Sequence, residues 1–261
     1  MGPIRELGSV SRPVGDSSEK PSAGLGSALT VPYSDAMAHE HAHRGHSDAD
    51  GPGEVASQTS WDERYRSSEA LWSGAPNPQL VTETAGLSAG AALDVGCGEG
   101  ADAIWLAERG WQVTAVDFSS VALERGAARA FEAGAEVGRR ITWLHADLTG
   151  WVPAAKSFDL VSAQFLHLPR EQREPIQRRI ADAVAPGGIL LVVGHHPSDL
   201  QTTVARPSAA ELLLTATEIA AGLVSEDWVI LVNEDRPRQA FDPDGRAATV
   251  HDAVLKAQRA P

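Results

Sequence analysis

Eight residues, Leu93-Asp94-Val95-Gly96-Cys97-Gly98-Glu99-Gly100, constrain this chain more than any other stretch. They read as the end of a buried strand, a glycine-rich turn, and a helix that begins at Ala101. Such a turn commits the chain to a strand–turn–helix unit and lets a ligand lie against bare backbone, because glycines accept positive φ and present no Cβ. The helix N-terminus behind the turn favours negative charge, such as a carboxylate on the ligand. Asp94, two positions before the first glycine, repels a pyrophosphate and suits a ligand that carries an ammonium or sulfonium group.

The glycines alone leave a dinucleotide open, since Gly96, Gly98 and Ala101 satisfy the loose pattern G-x-G-x-x-G/A. Asp117 ends the next apolar strand, Val113 to Val116, about twenty residues on, where a carboxylate can bind two ribose hydroxyls of either cofactor. Asp147 follows a third strand, Ile141 to His145, and can hold the exocyclic amine of an adenine. Pro186-Gly187-Gly188 then turns into an apolar strand, Ile189 to Val193. In this order the motifs resemble the class I S-adenosylmethionine-dependent methyltransferases, and the resemblance covers roughly Trp61 to Lys256. It implies an α/β fold: a Rossmann-like seven-stranded sheet with helices on both faces and an antiparallel C-terminal strand. It also implies S-adenosylmethionine as cofactor, bound by Trp61, Trp72, Asp94, Gly96, Cys97, Gly98, Gly100, Asp117, Phe118, Asp147, Leu148 and Gln164.

The remaining pattern alternates strands and helices, as a parallel α/β sheet requires. The helix after Asp117 is capped by Ser119, shows Leu123, Ala127, Ala130 and Phe131 on one face, and ends at Gly134. Phe158 to Ala163 reads as a central buried strand. Ile176, Ile180 and Val184 form the next apolar stripe, and Pro175 starts that helix near Glu174 or kinks it. Ser208 and Glu211 read as a capping box for a helix carrying Leu212, Ala216, Ile219 and Leu223. Trp228 to Val232 is a sixth strand. Asp242-Pro243-Asp244-Gly245 supplies a turn, and Ala247 to Val254 returns as a seventh, antiparallel strand.

At 261 residues the chain can bury a sizeable core. Its formal charge of −13 argues against a broad nucleic-acid surface. Cys97 is alone, so neither a disulfide nor a thiolate metal cluster is expected. No apolar run approaches the roughly eighteen residues of a membrane span, and no signal-peptide core follows the N-terminus. The expected setting is the cytoplasm, with no nucleic-acid or membrane partner. Residues 1–57 read as a disordered extension, since Gly2 to Thr30 is rich in Gly, Ser, Pro and Ala, and residues 58–261 read as the methyltransferase domain. His39, His41, His43 and His46, with Glu40 and Asp48, can bind nickel, zinc or copper. A solvated polar tail is the plainer reading of that tract.

Trp61-Asp62-Glu63-Arg64-Tyr65 and the segment from Leu71-Trp72 to Asn77-Pro78 are similar to a tryptophan-and-arginine segment of the thiopurine and tellurite-resistance methyltransferases, which covers the cofactor. S-adenosylmethionine carries a good leaving group, so the enzyme mainly aligns a nucleophile. A base matters only when the acceptor is protonated at working pH. Ligands of open α/β sheets bind beyond the carboxyl ends of the strands. The acceptor-facing residues are therefore Gln164, Phe165 and His167 after strand four, and His195 and His196 after strand five. His167 is the preferred base and His195 the next, with one of His195 and His196 capping the strand instead. Ala163-Gln164-Phe165-Leu166 stands where amino-methyltransferases of adenine and glutamine carry Asn/Asp-Pro-Pro-Tyr/Phe, and a lone cysteine does not suit arsenite. The acceptor is expected to be a small molecule, a sulfur or chalcogen oxyanion first and a phenol or quinol oxygen next. Two alternatives are an NAD-linked oxidoreductase and a non-catalytic S-adenosylmethionine-binding or metal-binding accessory protein.

Overall fold

Alternate residues of a strand face opposite sides of its sheet, and the layers here follow from that period. In β1 (Ala91–Val95), Leu93 and Val95 pack on one side with Ile176 and Ile180 of α6 (Arg170–Ala183), whereas Ala92 packs on the other with Ala103, Leu106 and Ala107 of α3 (Ala101–Glu108). β4 (Phe158–Gln164) and β5 (Val184–His195) divide in the same way, with Val161, Leu190 and Val192 opposed to Leu160, Ile189 and Leu191. The computed structural model describes residues 57–204, 209–223 and 225–261. The N-terminal extension, with His39, His41, His43 and His46, lies outside the described residues.

Among the described residues one seven-stranded sheet runs in the order β3-β2-β1-β4-β5-β7-β6. β2 (Gln112–Asp117), β3 (Ile141–His145), β1, β4 and β5 are parallel neighbours; β7 (Ala247–Arg259) is antiparallel to both β5 and β6 (Trp228–Phe241). The strand order reverses direction at β1 and β4, so a crevice opens beyond their carboxyl ends. The other helices are α1 (Gln58–Arg66), α2 (Pro78–Thr84), α4 (Ser120–Ala133), α5 (Ala135–Arg140) and α7 (Ala216–Ala221). None of the described helices is long and apolar enough to cross a membrane.

Several local expectations need correction. Phe131 is 78% exposed, and α4 buries Ala122, Leu123, Gly126 and Ala130 instead. Each helical residue turns the face by about 100°, so Phe131 is carried off the stripe that Ala130 occupies. α6 begins at Arg170 and runs through Pro175. Pro175 has no N–H to bond the Glu171 carbonyl, both residues are exposed, and burial of Ile176 and Ile180 holds the helix together. Pro186-Gly187-Gly188 is looped out inside β5: Phe158 pairs with Val184, and the next pair is Leu160 with Ile189. Gly187 takes φ +76° there, and a Cβ on Gly188 would approach the Phe158 carbonyl at 3.0 Å.

The capping box belongs to Thr215 and Glu218 at the start of α7; Glu211 sits in a single 3-10 turn, Ala210–Leu212, and Ser208 lies outside the described residues. Leu213 and Leu214 are buried, and Leu214 N donates to the His195 carbonyl at 3.0 Å, which keeps the chain extended before α7. β6 continues far past Val232, and β7 past Val254. Polar residues and Pro237 concealed that length, but β6 is an edge strand, where one side needs no ladder hydrogen bonds.

Candidate active site

The glycine turn is held by its own backbone. Gly96, Gly98 and Gly100 all take positive φ, at +70°, +51° and +77°. The Gly96 and Cys97 amides donate to the Val116 carbonyl at 2.8 and 3.0 Å, which fastens the turn to the end of β2. Space forbids side chains as firmly as φ does: a Cβ on Gly98 would lie 3.0 Å from the Tyr65 hydroxyl, and one on Gly100 would run into the Trp143 ring. Asp117 accepts from Gly98 N through Oδ2 and from Ser119 N through Oδ1, both at 2.9 Å.

Three carboxyl groups converge beside this turn. Asp94 is 2% exposed, and its Oδ2 has no hydrogen-bond partner among the described residues. Burial, then the charges of Asp102 and Asp117, push its carboxyl well above the usual range. Burial pushes Asp102 up to about 6, against a hydrogen bond from Asn77 N at 2.6 Å. Burial also raises Asp117, opposed by the amides of Ser119, Gly98 and Phe118. Such a cluster is stabilised by a cation placed among the three. Burial pushes the Cys97 thiol up too, so it stays protonated at neutral pH.

The segment ahead of β1 forms one wall. Ser119 Oγ donates to Asp62 Oδ1 at 2.5 Å, which docks α1 on the start of α4. Trp72 Nε1 donates to the Tyr65 hydroxyl at 3.3 Å, and burial pushes the Tyr65 phenol up. Glu99, 2% exposed, pairs with Arg125 at 2.9 Å and Arg129 at 3.5 Å, and accepts from Trp72 N at 3.4 Å. Arg125 in turn donates to the Ser68 carbonyl at 2.7 Å, so an ion-pair network centred on the buried Glu99 carboxylate ties this wall to the glycine turn. Asn77 Nδ2 donates to Gln164 Oε1 at 2.9 Å, joining the wall to β4.

Rings form the opposite end. Phe165 and His195 lie 4.5 Å apart by ring centroids; His167 stacks on His195 at 5.3 Å and 19°, and on Trp61 at 6.4 Å and 13°. One cavity of about 430 Å³ reaches from the turn to these rings. The structure brings to its walls Trp61, Trp72, Asp94, Gly96, Cys97, Gly98, Gly100, Asp117, Phe118, Asp147, Leu148, Gln164, His167 and His195. Asp147 sits exposed, with Oδ1 accepting from Thr149 N at 2.8 Å. His196 is not among the lining residues; its Nδ1 accepts from Ser198 N at 3.1 Å and caps the next turn.

Sequence reasoning named none of Tyr65, Asn77, Glu99, Asp102, Arg238 and Asp252 as a site residue, and all six line the cavity. Glu99 and Asp102 carried a usable signal, as acids within a residue or two of a helix N-terminus. Arg238 and Asp252 carried none, because only the register of the C-terminal hairpin brings them to the site.

The chain matches the methyltransferase-domain family over residues 92–188. Over that stretch the chain is similar to methyltransferase domains, and its sheet has the fold of the S-adenosylmethionine-dependent methyltransferases. The family's cofactor is S-adenosylmethionine. Outside the domain core the likeness thins: the chain spans about half the length of the curated relatives it matches. The 2-heptyl-1-hydroxyquinolin-4(1H)-one methyltransferase of Mycobacteroides abscessus is 33% identical over 126 residues, covering 47% of this chain and 54% of that protein. The glycine N-methyltransferase of Rattus norvegicus is 37% identical over 131 residues, 44% of each. Among solved structures, one described under the conversion of a disulfide bond into a thioacetal group during echinomycin biosynthesis superposes with a TM-score of 0.60 at 26% identity, covering 78% of this chain and 92% of that one. TehB of Haemophilus influenzae gives 0.56 at 19% identity, covering 77% and 66%, and supports the methyltransferase fold without the tellurite subgroup.

Two features of the cavity fit the cofactor. The buried, unbonded Asp94 Oδ2 suits its ammonium, and the turn is bare of the side chains that would fill the cradle.

Proposed function

We propose that residues 58–261 transfer a methyl group from S-adenosylmethionine to a small-molecule acceptor, an ionisable oxygen on a flat ring. The observation that carries this reading is a single cavity with three carboxyl groups at one end and the His167–His195 stack at the other. Bound S-adenosylmethionine supplies a methyl group already activated by a sulfonium. Asp94 would hold its ammonium, Asp117 its ribose hydroxyls and Asp147 its adenine amine, with Gly96, Cys97, Gly98 and Gly100 offering backbone. Phe118, Leu148 and Gln164 would flank it, and Trp61 and Trp72 would keep water off the reacting groups. The carboxyl cluster complements a donor that is cationic before transfer.

His167 or His195 would take the acceptor's hydroxyl proton through a ring nitrogen, and the stacked rings would orient the acceptor plane. The hydroxyquinolone named by the Mycobacteroides abscessus relative is a flat ring of this kind. A sulfur acceptor is the second reading, favoured by the disulfide-to-thioacetal chemistry in the description of the structure at 26% identity. Calorimetric titration with S-adenosylmethionine, S-adenosylhomocysteine and NADH tests the donor; saturable binding of the first two alone is expected. Methylation of a hydroxyquinolone and of an aryl thiol then tests the acceptor atom. His167→Gln and His195→Gln should separate the base: its loss lowers kcat about a hundredfold at neutral pH and removes the rising limb of the pH profile. A folded protein that binds neither adenosyl ligand overturns the proposal.

A further inference from the structure

Arg238 and Asp252 belong to the cavity but to none of the groups assigned to the cofactor or the base. Asp252 stands directly across from His195 in the β5–β7 register, so the two side chains share one face of the sheet, and they are 2% and 5% exposed. Arg238 comes from β6, and its Nε donates to both Asp252 oxygens at 3.0 Å. Gln79 Nε2 completes the carboxylate's shell at 3.3 Å.

A guanidinium has five N–H donors in a rigid fork. Asp252 occupies the Nε–H, which fixes the plane of the fork and offsets the cost of burying its charge. The Nη1 and Nη2 donors have no partner among the described residues, and they form the edge that matches a carboxylate in two parallel bonds. The neighbouring cations are engaged. Arg236 pairs with Glu83 and Glu234 at 2.7 Å each, and Lys256 pairs with Glu83 at 3.3 Å. Arg129, the other lining guanidinium, is held by Glu99. The acceptor end thus offers one cationic edge beside a wall of rings, whereas the other end offers acids.

We propose that Arg238, oriented by Asp252, recognises the acceptor: its Nη edge takes a ring carboxylate of a flat aromatic substrate whose plane lies against the His167–His195 stack. This rests on the methyltransferase reading and adds the charge of the substrate. The probes are 3-hydroxy-2-naphthoate and its uncharged counterpart 2-naphthol, titrated calorimetrically into protein saturated with S-adenosylhomocysteine. Wild type should favour the carboxylate by roughly tenfold or more, as a charge-assisted pair implies. Arg238→Met should erase that preference and Arg238→Lys should keep part of it, with S-adenosylhomocysteine affinity unchanged in both; Arg238→Gln is the second neutral variant should the methionine one not fold. Equal binding of the probes by wild type, binding of neither, or a preference that survives neutralisation of Arg238 overturns the proposal. Failure to bind S-adenosylhomocysteine instead breaks the methyltransferase reading, and the naphthoate preference is then read on the unliganded protein, which keeps the two failures apart.

Discussion

At the cofactor end of the cavity the wall is backbone, with Gly96, Gly98 and Gly100 crowded into one turn; the Gly96 and Gly98 amides bond to β2, and the Gly100 amide bonds back to the Cys97 carbonyl. At the acceptor end the wall is side chains, with His167, His195, Arg238 and Asp252 drawn from four separate segments of the chain. The first kind of wall tolerates almost no change, because both φ and space are prescribed. The second is set by side chains, so a single substitution can change its chemistry. A domain built this way can keep one donor while its acceptor changes.

The largest effects should therefore fall at the cofactor end. Asp117→Ala removes the acceptor for both Gly98 N and Ser119 N, along with the proposed ribose contacts. Charged hydrogen bonds contribute about 1.5–3 kcal/mol each, so S-adenosylhomocysteine affinity should fall about a hundredfold or more. Calorimetry checks this, and an affinity close to wild type would mean that the turn holds the ligand without β2.

Glu99→Gln probes what ties the Trp61 and Trp72 wall to the glycine turn. Removing one partner of a buried ion pair typically costs about 3–5 kcal/mol. Here Arg125 and Arg129 are 25% and 31% exposed and regain some hydration, and glutamine can still accept from Trp72 N. A loss of about 2–3 kcal/mol in urea unfolding is expected. A smaller loss with unchanged cofactor affinity would show that the Trp61 and Trp72 wall stands without its ion-pair anchor.

The same contrast explains what could be read from the sequence. β1 through β4 were legible because each is an apolar run closed by Asp, Gly or Gln at its end or within two residues of it, and the cofactor-end residues lie beside those ends. Asp94 and Asp117 could be placed from spacing alone. The C-terminal hairpin was only half legible: residues 233–239 are polar and include Pro237, which suits an edge strand but hides its period of two. Arg238 and Asp252 meet through a register that no local spacing encodes. Phe131 misled for the opposite reason, since an apolar residue near a helical stripe is not bound to lie on it.

Acidity sharpens the comparison further, because the titratable cluster sits at the cofactor end. Asp102, pushed up to about 6 by burial, and Asp94, raised beside it, must both ionise to welcome a cation. At pH 5 a group titrating near 6 is roughly nine-tenths protonated, so S-adenosylhomocysteine should bind about tenfold more weakly than at pH 7. The unliganded fold responds in the other sense. A raised carboxyl binds its proton more tightly folded than unfolded, so its stabilising contribution is fully present below about pH 4 and lost as pH rises through about 6. Asp102→Asn should flatten both curves, in calorimetry and in thermal melts across that window.

The smallest effect should come from the histidine next to the acceptor end. His195 and His196 are adjacent in sequence, and strand alternation sends them to different surroundings. His195 lines the cavity; His196 accepts from Ser198 N and faces Asp235 at 3.5 Å. His196→Ala removes a cap, which costs about 1 kcal/mol of stability. It should leave kcat and KM for any methylated acceptor near wild type, whereas His195→Ala should change them. His196→Asn should restore the lost stability, because asparagine supplies an acceptor of similar reach. If instead His196→Ala lowers kcat while the melting temperature holds, the acceptor end extends past His195 toward Asp235, and the boundary between the two regions of the cavity must be redrawn.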